Sequence, residues 1–309
     1  MAKHALALVA DSHYLSYTKH VFAAAKTRGC WDGDYILIAH EVDEEDLAWF
    51  QKNGIYIIRS SNLIHVAPNE NKAIDWPSVV YAKLMFFHPE CAHWDTIVYL
   101  DTDVIIRSDI RGLLSYEGFA AREESMGMPL KYQFIPDETY LSKDHKEAIK
   151  RLNLDLNSKS FNVGVMVIPT KNNTQAEFDA LVSLANNIHG LAYFPEQAVL
   201  NIHFQKRWTP LPYAYNDMYV HDWFIPRKND KDAVILHVVG SPKPWDSVSP
   251  YHQEWRHYRE LSDDFGSLKA YHTPTSKENI SRLELLVNRW KWLGRLGRWW
   301  WRINRRFSR

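Results

Sequence analysis

Short apolar runs alternate with stretches of helical periodicity along the first hundred residues. The runs cover residues 5–10, 35–39, 55–58 and 96–100, and each is short and able to form a β-strand. Helical stretches separate them, so strands and helices alternate along the chain. Because the crossover between two parallel strands is right-handed, this alternation predicts an α/β domain with a largely parallel sheet.

The helices between these strands have recognisable beginnings. Asp11, Ser12 and His13 form a turn and an N-cap, and the helix that follows is predicted to run to about Arg28. The acidic segment 41–46 is predicted to open a second helix, where the helix dipole favours negative charge. Residues 79–87 predict a buried helix that leads into the strand at 96–100.

The second half of the chain is less regular. Residues 122–160 are polar and lack strong periodicity, which is typical of a functional lid in a compact domain. Beyond them the pattern predicts strands at 164–168 and 233–239, a helix at 175–188 and a short helix at 196–204.

Composition adds little to the choice of function class. The chain has 309 residues, of which 46% are hydrophobic, 24% charged and 14% aromatic; the aromatic share suits a carbohydrate-facing surface and equally a large core. Cys30 and Cys91 lack the spacing of a zinc site and give no disulfide framework, so we expect two free thiols. The first apolar run is too short for a signal peptide or a membrane span, and we expect a cytoplasmic protein.

The net charge of zero conceals a strongly basic C-terminal end. Residues 281–309 hold nine basic side chains and one acidic one, so this segment carries +8 and the rest of the chain −8. Apolar residues recur there at steps of three and four, which predicts an amphipathic helix; they are Trp290, Leu293, Leu296, Trp300, Ile303 and Phe307.

We therefore expect a domain at 1–275 and a basic, Trp-rich tail at 276–309. Such a tail is suited to an anionic membrane surface on the cytoplasmic face. A C-terminal helix that packs into the core is the alternative interpretation. Nucleic acid is not expected as a partner, because the body of the chain is acidic and no base-reading fold accompanies the tail.

Two carboxylates follow the apolar run at 96–100. Asp101 and Asp103 are two residues apart, and because side chains alternate along a strand, both start on the same side and can converge on one cation. Aspartate pairs at 32/34 and 230/232 have the same spacing but lie in polar stretches. Only the first pair follows a predicted buried strand, where open α/β sheets bind ligands, so the sequence predicts a divalent-metal site there.

Four motifs occur in order along the chain: YLDTD at 99–103, FNVGVMV at 161–167, EQAVLN at 196–201 and HVVGSPKPW at 237–245. In these motifs the chain resembles the retaining glycosyltransferases of family 8, the glycogenin-like group with a GT-A fold. It looks most like the bacterial enzymes that build lipopolysaccharide outer cores. The resemblance covers about residues 5–250 and implies a Rossmann-like mixed sheet flanked by helices.

The resemblance also implies roles for individual residues. Asp101, Asp103 and His237 match the family's metal ligands, with Mn²⁺ as the expected cation and Mg²⁺ as the alternative. Gln197 and Lys243 match catalytic positions, Lys243 as a charge on the departing phosphate. The donor-binding positions are Asp11, Tyr14, Lys83, Asp101, Thr102, Asp103, Asn162, Gly164, Glu196, Gly240 and Lys243.

Some of these correspondences are less direct. The family usually has Asp where this chain has Glu196, and Glu123 matches an acidic, sugar-contacting position only loosely. Asp11 and Tyr14 match positions that bind the uracil ring, although helix capping and packing explain both residues equally well.

The implied activity is transfer of a hexose, glucose or galactose, from a UDP-sugar to a saccharide or glycolipid such as lipopolysaccharide, with retention of configuration. Because Gln197 is an amide and a poor nucleophile, a front-face route in which the departing phosphate deprotonates the acceptor fits better than double displacement. Two alternatives stay open. One is a haloacid-dehalogenase-like phosphatase with Asp263 and Asp264 as its late acidic pair, and the other is a non-catalytic UDP-sugar-binding protein at a membrane.

Overall fold

A computed structural model describes residues 3–65, 76–134, 143–222, 225–227, 229–271 and 273–307. Nine strands lie within these ranges: β1 His4–Ala10, β2 Asp34–His40, β3 Tyr56–Ser60, β4 Thr96–Leu100, β5 Val104–Ile106, β6 Ala120–Glu123, β7 Phe161–Pro169, β8 Thr209–Pro210 and β9 Ile235–His237. Seven α-helices lie within them as well: α1 Leu15–Thr27, α2 Ala48–Lys52, α3 Lys143–Arg151, α4 Gln175–Ile188, α5 Pro195–His203, α6 His252–Leu261 and α7 Lys277–Phe307.

Seven of the strands form one mixed sheet in the order β3-β2-β1-β4-β7-β6-β8. The half that contains β3, β2, β1 and β4 is parallel, and β7 pairs antiparallel with both β4 and β6. A separate two-stranded sheet joins β5 and β9 in antiparallel register. The predicted α/β class, with a mixed sheet flanked by helices, is confirmed.

Both faces of the large sheet are covered. Along β1, Leu6 and Leu8 enter the core beneath α1, whereas Ala5 and Ala7 enter the core beneath α4 and α5. A strand that is buried on both faces needs apolar side chains at nearly every position. This double burial explains why the sequence shows continuous apolar runs rather than an alternating pattern.

Several predicted elements are confirmed and others need correction. The helix predicted at 175–188 is α4, and the short helix predicted at 196–204 is α5. The segment predicted as a buried helix at 79–87 is a 3₁₀ helix, Ser78–Phe87, and every residue from Tyr81 to Phe87 is buried, as predicted. The acidic segment 41–46 does not open an α-helix; it ends inside a 3₁₀ turn, Glu45–Leu47, and α2 begins after that turn.

The strand predicted at 233–239 is shorter in the structure, because β9 pairs with a β5 of only three residues. Within the polar segment 122–160 the structure describes the end of β6, the helix α3 and an isolated β-bridge between Pro129 and Lys159, while residues 135–142 lie outside the described residues. Sequence periodicity missed β5, β6 and β8, since strands of two to four residues are too short to show a pattern.

The C-terminal helix α7 packs against the domain along its first half. Leu283 and Val287 are 1% and 0% exposed, in the core that also holds α1, and Leu293 packs against the same core. Glu284 accepts a hydrogen bond from the Tyr213 backbone N–H, and Lys291 Nζ lies 2.5 Å from Glu123 Oε2. The beginning of the expected tail is therefore part of the domain surface.

The remainder of α7 differs from its first half. Leu285, Trp292 and Leu296 are 71%, 51% and 50% exposed. Trp300, Ile303 and Phe307, which belong to the predicted apolar stripe, have side chains outside those that the structure describes. Along the described part of the chain, no helix combines the length and the apolar character that a membrane span requires.

Candidate functional site

The site lies where β4 and β9 end. Asp101 follows the last residue of β4, and its backbone N–H donates to the Gly164 carbonyl at 2.8 Å. His237 is the last residue of β9 and stands opposite Val104 in the β5–β9 register, which places it beside the neighbouring residue Asp103. The Val238 N–H donates to the Asp103 carbonyl at 3.0 Å and holds the two segments together.

The three predicted metal ligands converge. His237 Nε2 lies 3.1 Å from Asp103 Oδ1 and 3.7 Å from Asp101 Oδ2. Each residue offers a ligand atom within 4.8 Å of the other two, and no second group of three such residues is found in the ranges that the structure describes. Geometry therefore separates Asp101 and Asp103 from the aspartate pairs at 32/34 and 230/232.

Two lysines bind the outer oxygens of the same carboxylates. Lys83 Nζ lies 3.0 Å from Asp101 Oδ1 and 3.3 Å from Glu196 Oε1, while Lys243 Nζ lies 2.5 Å from Asp103 Oδ2. Each aspartate thus presents one oxygen to a lysine and the other to His237. Three carboxylates face two ammonium groups, which leaves one net negative charge before a cation binds.

The pKa shifts follow from these ion pairs. Burial lowers the pKa of the Lys83 ammonium, but Asp101 and Glu196 outweigh burial and hold that pKa above its ordinary value. Burial raises the pKa of the Asp103 carboxyl, yet His237 and Lys243 together hold it well below its usual range. Both groups are therefore charged at neutral pH. The Tyr99 hydroxyl donates a hydrogen bond to Asp101 Oδ1, which fixes the position of that carboxylate further.

The donor set fits a divalent cation. Carboxylate oxygens and an imidazole nitrogen, without a thiolate, suit Mn²⁺, and the imidazole makes Mg²⁺ the less suitable of the two. The oxygens of Asp101 and Asp103 that remain beside His237 Nε2 are those that the lysines do not occupy. The residues therefore fit the cation that the sequence predicts.

Gly164 makes room for the imidazole of His237. A Cβ at this position would lie 2.2 Å from His237 Cε1 and 2.5 Å from Nδ1, closer than side chains approach one another. The resemblance implies a donor-sugar role for Gly164, which stays a prediction; what the structure shows is this steric role beside His237. Gly240 has a different requirement, because its φ of +87° is in the left-handed region that favours glycine.

A chain of three amides connects His237 to a buried acid. We call Asn216, Asn162 and Gln197 the amide chain. His237 Nδ1 lies 2.9 Å from Asn216 Oδ1, Asn216 Nδ2 donates to Asn162 Oδ1 at 2.9 Å, and Asn162 Nδ2 donates to Gln197 Oε1 at 3.2 Å. Gln197 Nε2 then donates to Glu124 Oε2 at 2.9 Å.

All the hydrogen-bonding positions of the Gln197 carboxamide are occupied. Its Oε1 accepts from Asn162 and from the Val163 N–H, and its Nε2 donates to Glu124 and Gln133. A carboxamide has two lone pairs and two N–H groups, so the set is complete. Burial raises the pKa of the Glu124 carboxyl, although it accepts the Ser125 N–H.

Sequence reasoning missed Asn216, Glu124 and Gln133. Asn216 lies in a 3₁₀ turn outside all four motifs, and no local signal distinguishes it. Glu124 was passed over in favour of its neighbour Glu123, whose carboxylate contacts Lys291 and Lys159. Glu123 ends β6 and Glu124 follows it in extended backbone, where adjacent side chains point to opposite sides.

The predicted uracil-binding residues lie at the start of α1. Asp11 Oδ1 accepts the Tyr14 N–H at 2.9 Å, which is the capping role that the sequence also allowed. Tyr17 stacks on Trp245 at 4.2 Å between ring centroids, and Tyr14 meets the same indole edge-on at 5.9 Å. Since Trp245 follows Lys243 by two residues, α1 packs against the loop that carries Lys243. Thr102 occupies the turn between the two aspartates and is partly exposed.

The family model described as "Glycosyl transferase family 8" matches residues 7–249. The chain belongs to glycosyltransferase family 8. Among curated proteins it is 28% identical over 209 residues to a lipopolysaccharide 1,2-glucosyltransferase of Escherichia coli, covering 64% of this chain and 57% of that protein. It is 25% identical over 194 residues to glycosyltransferase GlyF of Streptococcus pneumoniae serotype 4, covering 60% and 43%. The chain thus spans about half the length of these curated relatives.

Solved structures resemble the fold of this family 8 chain. The galactosyltransferase LgtC in complex with donor and acceptor sugar analogues superposes with a TM-score of 0.59 at 15% identity, over 89% of this chain and 98% of that chain. The bifunctional glycosyltransferase WbbM in its apo form gives 0.59 at 15% identity, over 87% and 52%. The predicted GT-A fold is confirmed.

The family assignment disfavours the phosphatase alternative. Asp263, one of the proposed late acidic pair, forms an ion pair with Arg259 at 3.0 Å on the neighbouring helix α6. Neither Asp263 nor Asp264 belongs to the cluster of Asp101, Asp103 and His237.

Proposed function

We propose that this chain is a retaining hexosyltransferase that moves glucose or galactose from a UDP-sugar to a saccharide acceptor in the presence of Mn²⁺. One observation carries the proposal. Asp101, Asp103 and His237 turn three ligand atoms toward one another, and Lys83 and Lys243 bind the oxygens on the outside of that group. The membership in family 8 and the names of the relatives, a glucosyltransferase and a galactosyltransferase, support the reaction class.

The charges suit a diphosphate donor. A bound divalent cation would neutralise the diphosphate and polarise its oxygens. Lys243 lies in the loop that begins at Gly240, and its side chain is 28% exposed. Its ammonium group is therefore accessible to the phosphate that departs. Lys83 is buried and charged, and it holds Asp101 and Glu196 in place. Glu196, which stands where the family usually has Asp, therefore forms an ion pair with Lys83 that stabilises its negative charge.

The surroundings of Gln197 support a front-face route. A nucleophile must have a free lone pair that faces the anomeric carbon, whereas both lone pairs of Gln197 Oε1 accept hydrogen bonds from the protein. The Glu124 carboxylate accepts a hydrogen bond from Gln197 Nε2. We infer that Gln197 shapes the donor pocket and that the departing phosphate takes the proton of the acceptor hydroxyl.

The activity is tested by measuring UDP release from UDP-glucose and UDP-galactose, with and without a saccharide acceptor, in Mn²⁺ and in EDTA. We expect turnover in Mn²⁺ alone and its loss in Asp103→Asn. Asp32→Asn is the matched control, since Asp32 is exposed and belongs to an aspartate pair with the same spacing. Tight UDP binding without turnover for either donor would favour the non-catalytic alternative, and hydrolysis of simple phosphate esters would favour the phosphatase.

We also propose that the end of α7 attaches the protein to the cytoplasmic face of an anionic membrane. Residues 295–309 hold six of the nine basic side chains of the segment 281–309 and three of its tryptophans. Each basic residue near an anionic surface contributes about 1 kcal/mol, and exposed apolar side chains such as Trp292 add burial.

Co-sedimentation with vesicles that contain anionic lipid tests this attachment. Deletion of 295–309 retains Leu283 and Val287, so the domain should stay folded while it no longer pellets. Leu283→Ala is the control, because it weakens the packing of α7 but keeps every basic residue and should still pellet. Equal pelleting of the deleted and full chains, or no pelleting of the full chain, would contradict the proposal.

A further inference from the structure

The amide chain has a direction, and backbone groups determine it. Between β6 and β7 the register passes from Ala121 opposite Met166 to Arg122 opposite Asn162, so β6 pairs with neither Val163 nor Gly164. This bulge leaves the N–H groups of Val163 and Gly164 free for side chains. Gln197 Oε1 accepts the first at 3.2 Å, and Asn162 Oδ1 accepts the second at 2.9 Å.

A backbone N–H is always a donor, so the atoms that face it must be carbonyl oxygens. These two backbone N–H groups alone determine which way the carboxamides of Gln197 and Asn162 point. Asn162 Oδ1 in turn requires a donor from Asn216, which is Nδ2. The Oδ1 of Asn216 is then left to face His237 Nδ1 at 2.9 Å.

Because Asn216 Oδ1 can only accept, His237 must carry a proton on Nδ1. Nε2 is then the ring nitrogen left for a cation, and it faces Asp101 and Asp103. Metal-binding histidines commonly donate their second N–H to a carboxylate or a carbonyl, which fixes the ring and its tautomer. Here an asparagine 21 residues away supplies that oxygen.

We propose that Asn216 is a positioning residue that presents His237 Nε2 to the divalent cation, and that the bulged N–H groups of β7 orient Asn216 through the amide chain. The inference rests on the metal site of the proposed function. Asn216 is fully buried and contacts His237 directly, and it lies outside the four motifs. Its effect is therefore on the metal through His237, without contact with the donor.

The burial of Asn216 also allows a purely structural role, and metal affinity separates the two. The carboxylates bind Mg²⁺ and Mn²⁺ alike, whereas the imidazole favours Mn²⁺. Loss of the His237 orientation should therefore weaken Mn²⁺ binding more than Mg²⁺ binding. A general loss of structure would weaken both equally.

The experiment measures dissociation constants of the full chain for Mn²⁺, by electron paramagnetic resonance of the free ion, and for Mg²⁺ by competition. In Asn216→Leu we expect Mn²⁺ binding to weaken by about 10- to 100-fold and the preference for Mn²⁺ over Mg²⁺ to shrink. Asn216→Asp keeps an oxygen that accepts the Nδ1 proton but loses the donor to Asn162 Oδ1, so it should bind Mn²⁺ more weakly than the unmodified chain and clearly more tightly than Asn216→Leu. If Asn216→Leu does not purify in a folded state, Asn216→Ser, whose side chain is too short to reach His237, takes its place.

Asn173→Ala is the matched control, since the Asn173 amide bridges the carbonyls of Phe86 and His88 and has no contact with the amide chain. It should lower stability and leave the Mn²⁺ preference unchanged. Unaltered Mn²⁺ affinity in folded Asn216→Leu, or an Asn216→Asp as defective as Asn216→Leu, would overturn the inference. If the unmodified chain binds no Mn²⁺, the proposed metal site fails and this inference fails with it.

Discussion

Substitution of Gly164 by alanine tests how the site accommodates His237. The added Cβ would lie 2.2 Å from His237 Cε1, whereas real Cβ contacts essentially never fall below 3.0 Å. The ring would have to move away from β7, and the hydrogen bond of 2.9 Å to Asn216 and the approach of 3.1 Å to Asp103 would both be lost or stretched. Overpacking of this kind costs about 1–3 kcal/mol of stability.

Gly164→Ala should destabilise the fold and should also weaken Mn²⁺ binding, by a comparable free energy. Displacement of His237 should weaken Mn²⁺ binding by about 10- to 100-fold, the same range as is expected when His237 loses its hydrogen-bond partner Asn216. Thermal denaturation measures the first effect and Mn²⁺ titration the second. Gly266→Ala is the matched control, because the new Cβ would meet only Asn53 Oδ1 at an ordinary 3.7 Å. Gly164→Ala with unaltered Mn²⁺ affinity would refute the reasoning that His237 lies against this glycine as a ligand.

Three further predictions follow from other parts of the chain. Lys243→Ala should lower kcat by about 10² to 10³ with a smaller effect on KM, since its charge acts on the departing phosphate, and steady-state kinetics would contradict this if only KM rose. Leu283→Ala should lower the free energy of unfolding by about 2–5 kcal/mol because this side chain is 1% exposed; a denaturant titration in which it behaves like a surface substitution would show that α7 is not packed on the domain. Burial raises the pKa of the Cys91 thiol to about 12, so a thiol reagent at pH 8 should label Cys91 only after unfolding, and rapid labelling of the folded chain would contradict its burial.

The main outline of the fold could be predicted from the sequence because hydrophobic periodicity reports burial directly. β1, β2, β4 and α4 are long enough to show their period, and their predicted positions are close to the observed ones. The antiparallel placement of β7 beside β4 left no local signal, since strand direction depends on contacts between residues distant in sequence. The resemblance to family 8 supplied the GT-A fold that periodicity alone did not.

The three proposed metal ligands were accessible to sequence reasoning for a similar reason. Asp101 and Asp103 follow a recognisable buried strand, and His237 falls in a motif. The residues that support them were not accessible. Asn216 reaches His237 because its neighbour Asp217 pairs with β9, and Glu124 reaches Gln197 from the position just after β6.

The packing of α7 shows that an amphipathic sequence pattern does not identify what the apolar face contacts. Its basic and apolar residues predict a membrane-binding face, yet an apolar stripe looks the same whether it meets lipid or protein. Leu293 belongs to the predicted stripe and packs against the core of the domain. Only the exposed residues beside and beyond this contact, such as Trp292 and Leu296, together with the arginines from Arg295 onward, support the membrane proposal.

The most direct test of the donor and metal site is the dependence of UDP binding on Mn²⁺. Because Asp101, Asp103 and His237 would share one cation with the diphosphate, UDP and Mn²⁺ should stabilise the chain together. At UDP a hundredfold above its Kd the gain is about 2.7 kcal/mol, which raises Tm by several degrees. We predict this thermal shift with Mn²⁺ present, and little shift in EDTA or in Asp103→Asn. Equal shifts by UDP in Mn²⁺ and in EDTA would contradict the assignment of these three residues as a metal site for the donor.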